Sequence, residues 1–180
     1  MAGMEYNKAK PLPEAIPFRD VYFTGMVRDK LGRKMSKSLG NSPDLLELIK
    51  EYGADAVRFG IMISSPAGND LLFDTASLEQ GKFFNNKLWN ALKLVKVLQQ
   101  RIADAASEEE SFAVNWFASR LNEARTTVDK LISEFRLSEA LKTIYSLIWD
   151  DFCSWYLEWI KPEQEQPVAQ SVYDKTVEYF

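Results

Sequence analysis

The 180-residue sequence contains no histidine and only one cysteine, Cys153. The absence of histidine excludes Ser-His-Asp and Cys-His nucleophiles from this chain. A single cysteine excludes an intrachain disulfide and a zinc site built from cysteines. We therefore predict that Cys153 is a small packing residue in a helix.

Long apolar stretches are also missing. No run approaches the roughly 20 apolar residues that a membrane-spanning helix needs, and the N-terminus lacks the pattern of a signal peptide. Hydrophobic residues nevertheless make up 46% of the chain and aromatic residues 13%, which is enough to form a buried core. These features predict a soluble, cytoplasmic protein.

The net charge of −4 is unevenly distributed along the chain. Residues 1–74 carry ten basic and ten acidic side chains, whereas residues 75–180 carry twelve basic and sixteen acidic ones. A net acidic chain is not a general nucleic-acid binder, but it can still present a local basic surface.

The densest positive charge lies between Arg28 and Lys37. Five residues of this segment are basic and only Asp29 is acidic, so its local charge is +4. Gly32 and Gly40 lie on either side of its centre and permit positive φ. We predict a mobile, anion-binding loop.

Within this loop, Lys34 and Lys37 are separated by two residues, and hydroxyl groups occur at Ser36 and Ser38. Two ammonium groups with small hydroxyl donors between and beside them are suited to a chain of phosphates. An ordinary solvated surface loop is the alternative that this composition alone leaves open.

The residues after the loop predict a helix. We expect Ser42 to be its N-cap, Pro43 to occupy its first helical position and Asp44 to lie in its first turn. Backbone N–H groups at this end would then lie near the phosphate site. The helix is predicted to run to Tyr52 and to stop at Gly53.

Elsewhere in the first half, Met1–Pro17 is predicted to be irregular and Phe18–Gly25 to form a short buried strand. A hairpin over Val27–Lys34 follows, with its turn at Asp29–Gly32. A second short helix is predicted over Ala54–Ile63.

From Thr75 onward the pattern indicates an antiparallel helical bundle. The core prediction for its third helix includes Trp155 and Trp159, and the three glutamates at 108–110 are assigned to a solvated linker. The predicted helices are Thr75–Ala103, Phe112–Glu134, Leu137–Ile160 and one that begins near Pro167, with links near 104–111, Arg136 and 162–166.

The first bundle helix carries five basic residues and no acidic residue between Gly81 and Ala103. At about 100° per residue, Lys82, Lys93 and Lys96 share one sector of this helix. An ordinary solvated face and a surface that contacts RNA phosphates are both consistent with this pattern. Charge reversal at Lys93 and Lys96 in a binding titration separates the two.

Trp89 lies near the same sector. It could stack on an unpaired base, but we expect it to pack at the junction between the two halves of the chain.

The string KMSKS, from Lys34 to Ser38, with the flanking residues GRKMSKSLGN, is identified as the signature loop of class I aminoacyl-tRNA synthetases. In that family the loop binds the triphosphate of ATP. The resemblance implies that Lys37 is catalytic and stabilises charge on the departing pyrophosphate, with Lys34 assisting. It also implies that Met35, Ser36 and Ser38 belong to the ATP-binding loop.

Three stretches resemble the valyl branch of this family more than its isoleucyl and leucyl branches. They are GMVRDKLGRKMSKSLGN, then YGADAVRFGIMISSPAGNDLLFD with FFNNKLWNA, and DFCSWYLEWIKP. The resemblance implies ATP-dependent attachment of valine to its tRNA through valyl-adenylate, with Mg²⁺ accompanying the ATP, in a monomeric enzyme. Lys82, Trp89, Lys93 and Lys96 are then the candidate tRNA-binding residues.

The implied fold is mainly α. Residues 1–74 would be a small α/β remnant of the catalytic domain, with the KMSKS loop and with stem-contact helices in Tyr52–Asp74. Residues 75–180 would be the anticodon-binding antiparallel bundle, truncated in its last helix.

The resemblance also implies that the chain is a C-terminal fragment that is inactive alone. The family's second signature, His-Ile-Gly-His, cannot occur in a sequence without histidine. Two alternatives remain open: a fragment of the isoleucyl enzyme, and a free-standing, non-enzymatic helical module that binds tRNA.

Overall fold

The computed structural model describes residues 8–11, 14–18, 20–100, 102–103, 108–161 and 167–180. The strands are β1 (Val27–Arg28), β2 (Leu71–Leu72), β3 (Ile102–Ala103) and β4 (Val168–Ala169). The helices are α1 (Leu45–Tyr52), α2 (Ala54–Ile63), α3 (Thr75–Leu98), α4 (Glu108–Ser133), α5 (Leu137–Ser146), α6 (Leu157–Ile160) and α7 (Gln170–Tyr179), with a π-helical segment, Leu147–Tyr156, between α5 and α6.

The predicted strand over Phe18–Gly25 is wrong in its position. The only strand residues near it are Val27 and Arg28, which pair in parallel with Leu71 and Leu72. A strand needs a neighbouring strand to take its backbone hydrogen bonds. In the described part of Phe18–Gly25 no such partner is present, and the ring of Phe23 is exposed.

The predicted hairpin turn after β1 is confirmed. The N–H of Gly32 donates to the carbonyl of Asp29 at 2.8 Å, and the N–H of Asp29 donates to the carbonyl of Arg33 at 2.9 Å. Arg28 and Lys34 form an antiparallel bridge, so the signature loop leaves from a closed base.

Helix α1 begins later than the sequence suggests. Its N-cap is Asp44, whose carboxylate accepts the N–H of Leu46 at 2.7 Å, so the predicted cap Ser42 and the predicted first helical residue Pro43 both lie outside the helix. Asp and Ser cap helices about equally well, so residue preference alone does not choose between Asp44 and Ser42. The predicted end at Tyr52 is confirmed, and Gly53 follows with φ of 90°.

Helices α2 and α3 join the two halves of the chain. Their backbones approach so closely at Gly81 that a Cβ there would lie 2.7 Å from the carbonyl oxygen of Ala56. The buried hydroxyl of Ser138, on α5, donates to the carbonyl of Ile63 at 2.6 Å. The loop-bearing half is therefore fixed to the bundle by backbone packing and by a buried hydrogen bond.

The ends of two bundle helices differ from their predicted positions. Helix α3 ends at Leu98 rather than Ala103, because Ile102–Ala103 leaves the helix to pair in parallel with Val168–Ala169. For the same reason α7 begins at Gln170 and not at Pro167. Arg101 and the predicted links at 104–107 and 162–166 lie outside the described residues.

The predicted linker of three glutamates is also wrong, because α4 already begins at Glu108. The carboxylate of Glu110 accepts the N–H of Ala169 at 3.4 Å and so contributes to holding β4. The predicted link at Arg136 is confirmed, and the residue before it, Phe135, adopts a positive φ of 59°.

The π-helical segment changes which aromatic residues are buried. The N–H of Leu157 bonds to the carbonyl of Phe152, five residues back, so each such turn holds about one residue more than an α-turn. As a result Tyr156 is completely buried, whereas Trp155 is 53% exposed and Trp159 is 39% exposed. The prediction that both tryptophans lie in the core is wrong.

The bundle core is one cluster shared by α3, α4, the π-helical segment, α6, β4 and α7. Its buried members are Ala91, Val95, Leu98, Ala113, Phe117, Phe152, Tyr156, Leu157, Ile160, Val168, Ala169 and Val172. Cys153 is half-buried against this cluster, as its predicted packing role requires, and burial raises the pKa of its thiol. Among the described helices, none is long and apolar enough to span a bilayer.

Candidate functional site

The signature loop is held at its base by the carboxylate of Asp29. One of its oxygens accepts the N–H of Leu31 at 3.0 Å and that of Arg33 at 2.9 Å. The other accepts Nε of Arg33 at 2.8 Å and the amide Nδ2 of Asn41 at 3.0 Å. Both oxygens of the Asp29 carboxylate therefore accept hydrogen bonds from donors within the loop and from Asn41, just after it.

The hydrogen bond from Asn41, together with those from the Arg33 backbone and side chain, lowers the pKa of Asp29 to about 2 from its ordinary value of 3.8. Because the folded-state pKa is depressed, this stabilising contribution is fully present above about pH 4 and is lost as the pH falls through 2. Titration of the Asp29 carboxyl by ¹³C NMR is expected to give this low value. Asn41→Ala is expected to raise it, since it removes the largest cause, whereas Asn69→Ala is expected to leave it unchanged.

Arg28, Lys30 and Arg33, three of the five cations in the loop, are neutralised by carboxylates. Arg28 bonds to Asp70, and Lys30 lies 2.9 Å from Asp74. Arg33 pairs with Asp29, as described above. The side chain of Arg28 lowers the pKa of Asp70, and the N–H of Met26 adds to that effect.

Lys34 and Lys37 differ from the other three cations. Both side chains are exposed, and neither ammonium group forms a hydrogen bond or an ion pair with any residue that the structure describes. Ser36 and Ser38 lie beside them with their hydroxyl oxygens 3.0 Å apart. Three of the five cations in the loop are therefore paired with carboxylates. The two that remain unpaired are the two lysines of the signature.

The N-terminus of α1 does not add donors to this site in the way the sequence suggests. The carboxylate of Asp44 already accepts the N–H of Leu46, the second residue of the helix. A negative charge at that position opposes the binding of a further anion. The candidate phosphate site therefore depends on the lysines and serines of the loop.

The basic residues predicted on α3 are exposed but lie in different surroundings. Lys82 donates from Nζ to the carbonyl of Glu51 at 3.3 Å, at the end of α1. Lys93 lies 3.5 Å from the side-chain oxygen of Asn90, and Lys96 has no side-chain partner among the described residues. Lys93 lies 11 residues beyond Lys82, about 16 Å along the helix axis. Lys93 and Lys96 form one patch, and Lys82 lies apart from it.

Trp89 does not pack at the junction between the two halves, as was expected, because its ring is 61% exposed. The buried positions of α3 nearest to it are Phe84, Ala91 and Val95, which leave residue 89 on the solvent side. The ammonium group of Lys93 lies 5.9 Å from the centre of its ring. The Lys93–Lys96 patch thus includes an accessible aromatic face.

Sequence reasoning missed a groove of about 440 Å³ between α3 and the π-helical segment. The ring of Trp149 stacks on that of Tyr145 with their centres 5.5 Å apart, and the ammonium group of Lys87 lies 4.2 Å from the centre of the Trp149 ring. The spacing of Phe83, Asn86, Lys87 and Asn90 on one helix face was the available signal. The groove is lined by Phe83, Asn86, Lys87, Asn90, Ala91, Leu94, Trp149, Cys153, Leu157 and Glu158.

The chemistry available in the loop is charge stabilisation. Two unpaired ammonium groups can neutralise negative charge on a phosphate chain, and hydroxyl groups can donate to its oxygens. Among the described residues, no three His, Cys, Asp or Glu side chains converge as they would at a metal site.

Two family models match the sequence. The model described as "tRNA synthetases class I (I, L, M and V)" matches residues 1–74. The model described as "Anticodon-binding domain of tRNA ligase" matches residues 114–180.

Proteins named valine–tRNA ligase are similar to the chain along its whole length. The relative from Phocaeicola vulgatus is 55% identical over 181 residues, and that from Parabacteroides distasonis is 52% identical over 180 residues; each alignment covers 100% of the chain and 20% of the relative. The relative from Symbiobacterium thermophilum is 44% identical over 155 residues, or 84% of the chain and 17% of the relative. The chain therefore spans about a fifth of the length of the curated relatives it matches.

One solved structure with the same fold is the "Crystal structure of the ternary complex of Agrobacterium radiobacter K84 agnB2 LeuRS-tRNA-LeuAMS". It matches with a TM-score of 0.67 and 22% identity over 85% of this chain and 20% of that one. At this identity the likeness concerns the fold, and it confirms the mainly helical fold class predicted from the sequence.

Proposed function

Because the chain belongs to the class I aminoacyl-tRNA synthetases, we propose that it is the segment of a valine–tRNA ligase that supplies the pyrophosphate-stabilising loop and part of the tRNA-binding surface. The observation that carries the proposal is the division of charge in the loop. Three of its cations are paired with carboxylates, and Lys34 and Lys37 are not. Identity of more than 50% to valine–tRNA ligases over the whole chain favours valine over isoleucine as the amino acid.

In the proposed reaction, the carboxylate of valine attacks the α-phosphate of ATP. The bond from that phosphorus to the bridging oxygen breaks, and pyrophosphate leaves with the electron pair. Lys37 stabilises the negative charge that develops on this leaving group, and Lys34 assists. The terminal adenosine of the valine tRNA then takes the valyl group from the adenylate, and AMP leaves.

The cofactor of this step is Mg²⁺ carried with the nucleotide. The unpaired groups of the loop are ammonium and hydroxyl groups, and ammonium groups bind phosphate oxygens rather than metal ions. We therefore assign Lys34, Met35, Ser36, Lys37 and Ser38 to the phosphate chain of ATP, and Mg²⁺ would accompany the nucleotide and offset part of its negative charge.

In this proposal the two halves of the chain have different functions. Residues 1–74 form the end of the catalytic domain, and residues 75–180 form the bundle that binds the anticodon arm. The Lys93–Lys96 patch with Trp89 is the proposed tRNA contact, and Lys82 contributes near the join. The groove between α3 and the π-helical segment offers an unpaired base the exposed ring of Phe83 for stacking and the side-chain amides of Asn86 and Asn90 for hydrogen bonds.

A chimaeric ligase tests the proposal. In it, this chain replaces the aligned segment of the Phocaeicola vulgatus valine–tRNA ligase, which covers the chain from end to end. We expect valine-dependent ATP–pyrophosphate exchange and valyl-tRNA formation by the chimaera. A chimaera that is folded but inactive in exchange would overturn the enzymatic proposal. If the chain still bound tRNA, that result would favour the non-enzymatic module.

The chain alone is expected to show no exchange activity. The family's His-Ile-Gly-His signature requires histidine, and this sequence has none. Exchange by the purified 180-residue chain would contradict this part of the proposal.

The Lys93–Lys96 patch is tested by the double charge reversal Lys93→Glu and Lys96→Glu. Each phosphate contact contributes about 0.9 to the slope of log K against log salt concentration, so loss of two contacts should lower that slope by about 2. We expect tRNA affinity of the chain to fall about 10- to 100-fold at low salt. Titration of labelled tRNA at several salt concentrations measures both quantities.

The matched control reverses two exposed lysines on other helices, Lys130→Glu on α4 and Lys142→Glu on α5. This control changes the net charge by the same amount. It should therefore lower tRNA affinity only by the part of the loss that comes from the overall charge of the chain. Equal losses in the two double variants would show that the patch has no specific role and that an ordinary solvated face is the correct interpretation.

A further inference from the structure

The side chain of Asn41, three residues after the signature, bridges the backbone on both sides of Met35. Its amide oxygen accepts the N–H of Ser36 at 2.9 Å. Its amide nitrogen donates to the carbonyl of Lys34 at 3.3 Å and to the carboxylate of Asp29 at 3.0 Å. One side chain thus fixes the peptide groups that lie between the two unpaired lysines.

The bond to Ser36 also sets the direction in which the loop continues. Ser36 is the N-cap of a 3-10 turn over Lys37–Leu39, and its hydroxyl oxygen accepts the N–H of Leu39 at 3.3 Å. Lys37 is the first residue of that turn, and Gly40 closes it with φ of 65°. The position of the Lys37 backbone therefore follows from the position of Ser36.

The carboxylate of Asp29 fixes which way the Asn41 amide faces. Because that carboxylate can only accept, the Asn41 atom facing it must be the donating nitrogen, and the oxygen is left to receive the Ser36 N–H. Asp29 is itself held by the hairpin turn through Leu31 and Arg33. The chain of contacts runs from the hairpin through Asp29 and Asn41 to the carbonyl of Lys34 and to the N–H of Ser36, the residue before Lys37.

From this geometry we infer that Asn41 is a positioning residue that sets Lys34 and Lys37 at the spacing needed to receive the departing pyrophosphate. The inference rests on the proposed function. Asn41 acts through the loop backbone, because both ends of its amide are already occupied by protein groups. An amide is required at this position, since neither a carboxylate nor an alkyl group can donate to Asp29 and accept from Ser36.

The chimaeric ligase carrying Asn41→Ala tests the inference. Misplacing a catalytic group by about 1 Å can cost about 10²-fold in rate, so we expect kcat for ATP–pyrophosphate exchange to fall about 10- to 100-fold. Transfer of the valyl group from synthetic valyl-adenylate to tRNA involves no pyrophosphate and should stay within about threefold of the parent. A loss of folded enzyme would lower both rates equally. The control Asn122→Ala, an exposed amide on α4, should leave both unchanged.

A rescue experiment separates positioning from bulk. Asn41→Asp keeps the shape of the side chain but places a second carboxylate against Asp29, so we expect a larger loss of exchange than with alanine. Adding Asp29→Asn restores a donor facing an acceptor between the two positions. We expect the double variant to regain at least fivefold over Asn41→Asp alone. The recovery is partial because the original bond to Lys34 is not rebuilt and because an amide nitrogen at position 29 cannot accept from Arg33, as the Asp29 oxygen does.

The outcomes separate this inference from the proposed function. An active chimaera in which Asn41→Ala exchanges at the parental rate overturns the inference alone, as does an equal fall in exchange and transfer. Failure of Asp29→Asn to improve Asn41→Asp counts against the pairing of positions 29 and 41. An inactive parental chimaera overturns the proposed function, and the inference falls with it.

Discussion

Replacing Lys37 by alanine in the chimaeric ligase is expected to lower kcat for valine-dependent ATP–pyrophosphate exchange by about 10²- to 10³-fold, the loss typical of removing one preorganised charge-stabilising group. The ammonium group has no partner among the described residues, so its positive charge remains available to an anion. Lys34→Ala is expected to cause a smaller loss. Initial rates at saturating ATP and valine measure the effect.

The matched control for this prediction is Lys30→Ala, in the same loop. Its ammonium group is already paired with Asp74 at 2.9 Å, so its removal takes away no free charge. We expect less than a threefold change in kcat, as is usual for an exposed ion pair of small energetic weight. Equal reductions of the exchange rate by Lys30→Ala and Lys37→Ala would contradict this prediction. They would show that the rate depends on the total charge of the loop and not on which cations are unpaired.

The identity of the loop could be predicted from the sequence because its signature is local. Which of its five cations are free could not, because two of the neutralising carboxylates are distant in the chain. Asp70 lies 42 residues from Arg28, and it reaches Arg28 because β1 pairs with β2. Periodicity does not reveal that pairing, since strands of two residues carry no pattern.

The role inferred for Asn41 was hidden for a different reason. In the sequence it is one polar residue just before a predicted helix, and the cap of that helix was assigned to its neighbour Ser42. The structure shows that Asn41 instead turns back to the loop, while Asp44 caps α1. Which of several neighbouring polar residues caps a helix depends on small differences in backbone direction, which sequence preferences do not resolve.

The existence of the bundle helices followed from their periodicity, but the phase of the third one did not. Counting at α-helical spacing puts Trp155 and Trp159 in line with Phe152. The π-helical turns over Leu147–Tyr156 shift that line, so that Tyr156 and Ile160 enter the core instead. No residue type in this segment marks the change, and the segment packs against α3 and α4, whose positions periodicity within the segment does not reveal.

Because the π-helical turns bury Tyr156, we expect the second large effect at this residue. Tyr156→Ala is expected to lower the free energy of unfolding by about 3–5 kcal/mol, the usual cost of truncating a fully buried aromatic residue. Its ring contacts those of Phe117, Phe152 and Tyr179 at 5.0 to 5.8 Å, and no part of it is exposed. Trp155→Ala should cost about 1 kcal/mol or less, because half of that side chain already faces solvent. Urea unfolding of the 180-residue chain measures both.

Tyr156→Phe separates the ring from its hydroxyl group. The hydroxyl lies 2.7 Å from that of Thr176, which also donates to the carbonyl of Val172. Because Thr176 keeps that second bond, the expected cost is about 1 kcal/mol, the net value of one hydrogen bond. A small loss of unfolding free energy with Tyr156→Phe and a large one with Tyr156→Ala would show that the buried ring provides most of the stabilisation. If Trp155→Ala were instead as costly as Tyr156→Ala, the helix would follow the α-helical phase, and the π-helical assignment would be wrong.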